Sequence, residues 1–153
     1  MTQRALVVDD ASDIRMLVRS VLRGRLGFDV TEASNGREAL TILRSIDPFD
    51  VVVLDVQMPL LDGWETLSAI RENERTRDLP VILCTVRSQP ADAERAWSLG
   101  CDGFVSKPFA IDRLAEEVVA ACQHTVAERA ALREQHLAVA RSLLGANAGQ
   151  GGA

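Results

Sequence analysis

The sequence predicts an α/β fold built on one doubly wound, five-stranded parallel sheet. Three observations carry that expectation. Short apolar runs alternate with amphipathic stretches from residue 4 to about residue 123. Each run is followed by apolar residues at helical spacing, which supplies the crossover that parallel strands need. The middle runs, Val51-Val52-Val53-Leu54 and Val81-Ile82-Leu83-Cys84, are apolar at consecutive positions. Such strands are covered by helices on both faces.

The elements follow in order. Ala5-Leu6-Val7-Val8 is a compact apolar strand that stops at Asp9-Asp10. Ile14, Leu17, Val18, Val21 and Leu22 then recur at helical spacing, with Arg15, Arg19 and Arg23 between them. Phe28 to Glu32 reads as the second strand. Asn35-Gly36 opens a helix with Ala39, Leu40 and Leu43 on its inner side. The third strand ends at Asp55, and Trp64 to Arg71 is helical. The fourth strand ends at Thr85, and Ala91 to Leu99 is a short helix stopped by Gly100. Gly103 to Ser106 is a short last strand, followed by Lys107-Pro108. A helix from Ala110 then places Ile111, Leu114, Val118 and Cys122 on one side.

Composition narrows the function classes. Seventeen Lys+Arg against 22 Asp+Glu leave a net charge of −5, which argues against non-specific nucleic-acid binding. No apolar run approaches the roughly 20 residues of a membrane span, and nothing at the N-terminus marks the chain for export. A cytoplasmic location is expected. The three cysteines, Cys84, Cys101 and Cys122, form no CxxC pair and read as reduced, apolar residues. His124 and His136 are the only imidazoles and read as surface residues, with no ligand cluster for zinc.

Parallel strands joined by right-handed crossovers place all their C-terminal ends on one edge, where ligands of open α/β sheets bind. Four strands there contribute Asp9-Asp10, Asp55, Thr85 and Lys107. Three carboxylates packed together repel unless a cation is near, and a hard divalent ion with oxygen ligands suits them. No glycine-rich phosphate loop opens a helix, so a nucleotide site is not suggested.

With these residues in view, the chain resembles the receiver domain of two-component response regulators over roughly residues 3–123. The likeness rests on Val7-Val8-Asp9-Asp10, Leu54-Asp55-Val56-Gln57-Met58-Pro59 with Asp62-Gly63, Leu83-Cys84-Thr85 and Lys107-Pro108-Phe109, each at a strand end. The resemblance implies a flavodoxin-like topology with strand order 2-1-3-4-5. It implies Asp55 as phosphoacceptor from a sensor histidine kinase or phosphotransfer protein. Mg²⁺ would be bound directly by Asp10 and Asp55, through water by Asp9, and by the backbone carbonyl of Gln57. Lys107 would pair with the phosphoryl group and Thr85 would hydrogen-bond it. Thr85 and Phe104 would form the switch, and Lys107-Pro108 would be a cis peptide. The output would be protein binding through the face of helix four, strand five and helix five, and the chain itself would not be an enzyme.

Two departures from the family pattern stand out. Val86 follows Thr85 where a small residue is usual, and Phe104 lacks a tyrosine hydroxyl. Trp97, late in helix four, serves either core packing or partner anchoring, and Trp64 packs at the start of helix three. Two rival readings remain: a phosphorylation-independent dimeric scaffold, and an aspartate-nucleophile phosphohydrolase. The latter needs a second acid where Gln57 stands.

Beyond the domain at 1–124, residues 125–144 lack Gly and Pro and are rich in strong helix formers. They are expected to extend the last helix, with Leu132, Val139 and Leu143 as a partial stripe for a homodimer. Residues 145–153 are expected to be disordered.

Overall fold

A computed structural model describes residues 2–45, 47–108 and 110–150. The elements alternate as β1 (Arg4–Val8), α1 (Ser12–Gly24), β2 (Asp29–Ala33), α2 (Gly36–Leu43), β3 (Val51–Asp55) and α3 (Gly63–Glu72). There follow β4 (Val81–Thr85), α4 (Pro90–Leu99), β5 (Gly103–Ser106), α5 (Ile111–Gln123) and α6 (Val126–Gln150). The five strands are all parallel, in the order β2-β1-β3-β4-β5. The second strand starts one residue later than the apolar pattern suggests, because Phe28 is buried as core beneath α1 rather than paired in the sheet.

Strand alternation sorts the core into two layers. Leu6, Val8, Val52, Leu54, Val81 and Leu83 face the layer closed by α2, α3 and α4. Ala5, Val7, Val51, Val53, Ile82 and Cys84 face the layer closed by α1 and α5. β3 and β4 are buried at every position, which is why their sequences carry no polar alternation. At the margins, Leu17 and Ile111 sit outward, although their helical spacing placed them on the inner faces.

Helix ends follow local chemistry. The Asn35 side chain accepts the Glu38 backbone N–H at 2.9 Å, and Asp62 does the same for Glu65 at 2.9 Å. Gly100 ends α4 at φ +96°, in the left-handed region. The expected continuous last helix does not form. His124 is extended (φ −78°, ψ 143°), and a new helix starts after it. Thr125 and Glu128 explain the break. The Thr125 hydroxyl accepts the Glu128 N–H at 3.1 Å, while the Glu128 carboxylate accepts the Thr125 N–H at 2.9 Å. This reciprocal capping box nucleates α6 as a separate helix.

α6 turns back and packs on α4, with His136 stacked on Trp97 and Arg129, Leu132, Arg133, Leu137, Ala140 and Leu144 on its less exposed side. The expected stripe is therefore displaced, since Val139 and Leu143 face solvent. The helix also runs through Gln150, so residues 145–150 depart from the expected disorder; residues 151–153 lie outside the described residues. Once a helix is nucleated, each added residue costs little, and even Gly145 costs only about 1 kcal/mol relative to Ala.

The anchor of this packing is Asp102, just before β5. Its enclosed carboxylate meets Arg71 at 2.8 Å, Arg129 at 3.2 Å and Arg133 at 3.7 Å, and accepts the Val81 N–H at 3.0 Å. The arginines also donate to backbone carbonyls: Arg71 to Leu79 and Gly100, Arg129 to Asp78, and Arg133 to Gly100. Asp102→Ala leaves these guanidiniums enclosed without their anion. Urea unfolding is expected to show a loss of about 3–5 kcal/mol. Arg141→Ala, at the exposed Glu94 pair, is expected to cost about 0–1 kcal/mol.

Candidate functional site

The acidic site lies along the C-terminal edge of the sheet. Asp9 follows β1, Asp55 is the last residue of β3, Thr85 the last of β4, and Lys107 follows β5. The parallel register brings them together although 98 residues separate Asp9 from Lys107. Carboxylate oxygens of Asp9, Asp10 and Asp55 lie within 4.8 Å of one another, with Asp9 and Asp55 buried and Asp10 exposed.

Lys107 reaches into this cluster. Its ammonium donates to Asp9 Oδ2 at 2.7 Å and to Asp55 Oδ1 at 3.1 Å. Burial pushes the Asp55 carboxyl above its usual range, and the neighbouring Asp9 charge adds to the rise against the opposing pull of Lys107. Burial also pulls the Lys107 ammonium down, but its hydrogen bonds and charge pairing with Asp9 and Asp55 outweigh that and leave it raised. Lys107 is therefore firmly cationic, and Asp55 is the strained member of the group.

Local structure fixes each side chain. The Asp9 carboxylate accepts the Ala11 N–H at 3.0 Å, and the Asp9 carbonyl accepts from Arg15 at 2.7 Å. Arg15 is in turn held by Glu32 at 3.2 Å. This positioning role of Arg15 was not legible from helical spacing, which marks it only as a polar residue between apolar ones. Gly63 lets the turn after β3 fold tightly, because a Cβ there would run into the Asp55 carbonyl and lie 2.6 Å from Val56 Cα. The same turn holds Leu60 at φ +70°, a conformation rare for a branched side chain and of a kind found at functional loops.

Thr85 is fully buried; its hydroxyl oxygen accepts the Arg87 N–H at 2.9 Å, and its carbonyl accepts the Lys107 N–H at 2.7 Å. Phe104 pairs in register with Leu83, two residues before Thr85, so Thr85 and Phe104 share one face of the sheet. Phe104 and Trp97 both pack, partly buried, on the core beneath α4. Gln57 and Val86 are exposed in the turns after β3 and β4. The Lys107-Pro108 peptide is cis. Phe109, part of the motif, lies outside the described residues.

The donor set suits a small hard dication. Three carboxylates supply oxygen ligands only, and the exposed side of Asp10 leaves room for water, as Mg²⁺ requires. The cysteines stand apart from this chemistry: burial pushes the Cys84 thiol up to about 12 and Cys122 up to about 11, so both stay protonated. Trp64 is buried at the start of α3 as expected, with Arg95 4.6 Å above its ring. His136 of α6 is exposed, as expected, and its imidazole stacks on Trp97 at 4.2 Å.

A raised Asp55 pKa has a stability consequence. Between the ordinary carboxylate range near 3.9 and the raised value, the folded chain holds a proton that the unfolded chain has lost, so stability falls as pH rises. Asp55→Asn removes the disfavoured charge. In magnesium-free buffer at neutral pH it is expected to raise Tm by several degrees, and the gain is expected to vanish as pH falls through the range where Asp55 protonates. Thermal unfolding followed by circular dichroism checks both.

Comparison with known proteins agrees with this architecture. The model of the response regulator receiver domain matches residues 5–119. The chain is 38% identical over 116 residues to the chemotaxis protein CheY of Pseudomonas aeruginosa, covering 75% of this chain and 92% of that protein. It is 38% identical over 109 residues to response regulator Rre1 of Synechocystis, covering 71% of this chain but only 47% of the relative. The chain thus spans about half the length of several curated relatives that it matches. Among solved structures, CheY4 of Vibrio cholerae superposes with a TM-score of 0.73 at 30% identity, over 79% of this chain and 99% of that one. The chain belongs to the response regulator receiver domains and is a signalling receiver of the two-component type.

Proposed function

We propose that Asp55 is the phosphoacceptor of this receiver and that Lys107, Thr85 and Phe104 convert its phosphorylation into a change of surface. The observation that carries the reading is the ammonium of Lys107 held by two members of a three-carboxylate cluster at the sheet edge. An Asp55 oxygen attacks the phosphorus of a phosphohistidine. The P–N bond breaks as the P–O bond forms, and the imidazole leaves with a proton from solvent. Asp10 and Asp55, with Asp9 through water and the Gln57 carbonyl, would hold Mg²⁺, which supplies charge neutralisation on the transferred oxygens.

Lys107 supplies the second positive charge. As the phosphoryl group takes one oxygen of Asp55, Lys107 keeps its hydrogen bond to Asp9 and exchanges the other for a phosphoryl oxygen. The Thr85 hydroxyl donates to another phosphoryl oxygen. Its movement vacates space on the face that it shares with Phe104, and the ring moves inward. The result is an altered α4–β5–α5 face for a downstream protein. The donor would be a histidine kinase or phosphotransfer protein, and the reading places the chain in the cytoplasm; among the described residues no helix is long and apolar enough to cross a membrane. The scaffold alternative is disfavoured because α6 spends its inner face on its own α4.

With acetyl phosphate and Mg²⁺, mass spectrometry is expected to find one added phosphoryl group in the wild type and none in Asp55→Asn or after chelation. Equal uptake by Asp55→Asn overturns the reading. Lys107→Ala is expected to slow uptake by roughly 10²-fold or more. Val86→Ala trims an exposed side chain at the mouth of the site. It is expected to shorten the phosphoryl lifetime several-fold by admitting water, measured as the decay of labelled protein.

A further inference from the structure

α6 lies across the very face that the proposed switch would remodel. It runs antiparallel to α4: Arg129 and Arg133 meet Asp102 at one end, His136 stacks on Trp97 at 4.2 Å with planes 8° apart, and Arg141 reaches Glu94 at 3.5 Å further along. It also roofs the groove between α4 and α5. A cavity of about 170 Å³ remains beneath it, bordered by Trp97, Asp102, Glu117, His124, Arg129 and His136.

Three features favour a contact that can open. The seat is imperfectly filled, and beside the cavity Arg129 Nε and Asp102 Oδ1 are buried without a hydrogen-bond partner. Docking also crowds three guanidiniums around one carboxylate. Undocking removes two of them to water and leaves Asp102 satisfied by Arg71 at 2.8 Å and the Val81 N–H at 3.0 Å. Finally, α6 carries its own capping box and joins the domain through the extended His124, so it keeps its helical start when released.

We propose that α6 is an intramolecular ligand of the α4–α5 groove, holding the output face closed until phosphorylation releases it. Trp97 and Phe104 both pack against the core layer beneath α4, so inward movement of Phe104 would be passed through that layer to the ring on which His136 stacks. This trigger rests on the reading of Asp55 given above; the occupancy of the groove does not. A partner that takes over the vacated groove is a helix with the chemistry of α6. It carries basic residues four apart, as Arg129 and Arg133 are, to meet Asp102, and a flat ring three residues on, as His136 is, to cover Trp97.

Hydrogen exchange on the full chain tests both parts. Without a phosphoryl mimic, amides of residues 133–144 are expected to be protected. Beryllofluoride with Mg²⁺ is expected to speed their exchange at least tenfold, while β3 and β4 stay protected. The double variant Arg133→Ala, His136→Ala is expected to show the same release without beryllofluoride. A fluorescent peptide of residues 125–150 is expected to bind that variant at least tenfold more tightly than wild type. Trp97→Ala added to the variant is expected to abolish peptide binding, and Trp97→Phe to preserve it. Equal peptide binding to variant and wild type, or none to either, overturns the occupancy. If the fluorine resonance of bound beryllofluoride appears but α6 exchange is unchanged, the trigger is overturned. If beryllofluoride does not bind, the reading of Asp55 fails and the trigger fails with it, while the peptide result still decides the occupancy.

Discussion

The architecture of the site turns on one ammonium group. Lys107 bridges Asp9 and Asp55 where like charges would otherwise force the sheet edge apart. Buried carboxylates this close ionise together only with a cation between them. Lys107 supplies one positive charge, fewer than the three neighbouring acids demand. Burial, with the Asp9 charge beside it, pushes the Asp55 carboxyl up, and the unanswered negative charge suits the cluster to a dication. A dication held there would turn that deficit round, and only then would the site accommodate an incoming anionic phosphoryl group.

The sheet makes this bridge available. Because all five strands run the same way, their ends gather on one edge, and residues at the ends of β1, β3, β4 and β5 meet although these segments lie far apart in the chain. The two core layers hold that edge rigid, since β3 and β4 are packed on both faces. Gly63 and the left-handed Leu60 then bring the turn after β3 tight against Asp55. A site on rigid strand ends flanked by turns keeps its charges in place.

Asp102 is the electrostatic counterpart on the opposite edge. There one carboxylate faces three arginines, an excess of positive charge where the functional edge has an excess of negative. Arg71 alone would satisfy Asp102 within the domain. Arg129 and Arg133 add the extension to it, so a single acid ties α6 to the base of the sheet while the Trp97–His136 stack ties it to α4. Both contacts join residues that lie far apart in the chain.

Much of the fold was legible in the residues themselves. Alternation of apolar runs with helical spacing defined every element of the sheet and its crossovers, and Asp9, Asp10, Asp55, Thr85 and Lys107 could be read as a group because parallel strands share an edge. The capping box at Thr125 and Glu128 was also written in the sequence, and with it the start of α6, although strong helix formers around it suggested a continuous helix. What the chain alone did not decide was where α6 goes. Its inner face is a mixture of arginines, an imidazole, leucines and alanines, which no apolar periodicity singles out, while the more conspicuous Val139 and Leu143 face water. That choice depends on Asp102 and Trp97 lying within reach. Local pattern records which backbone conformation each segment prefers, but the pairing of a buried charge with its counter-ions exists only once distant segments have been brought together.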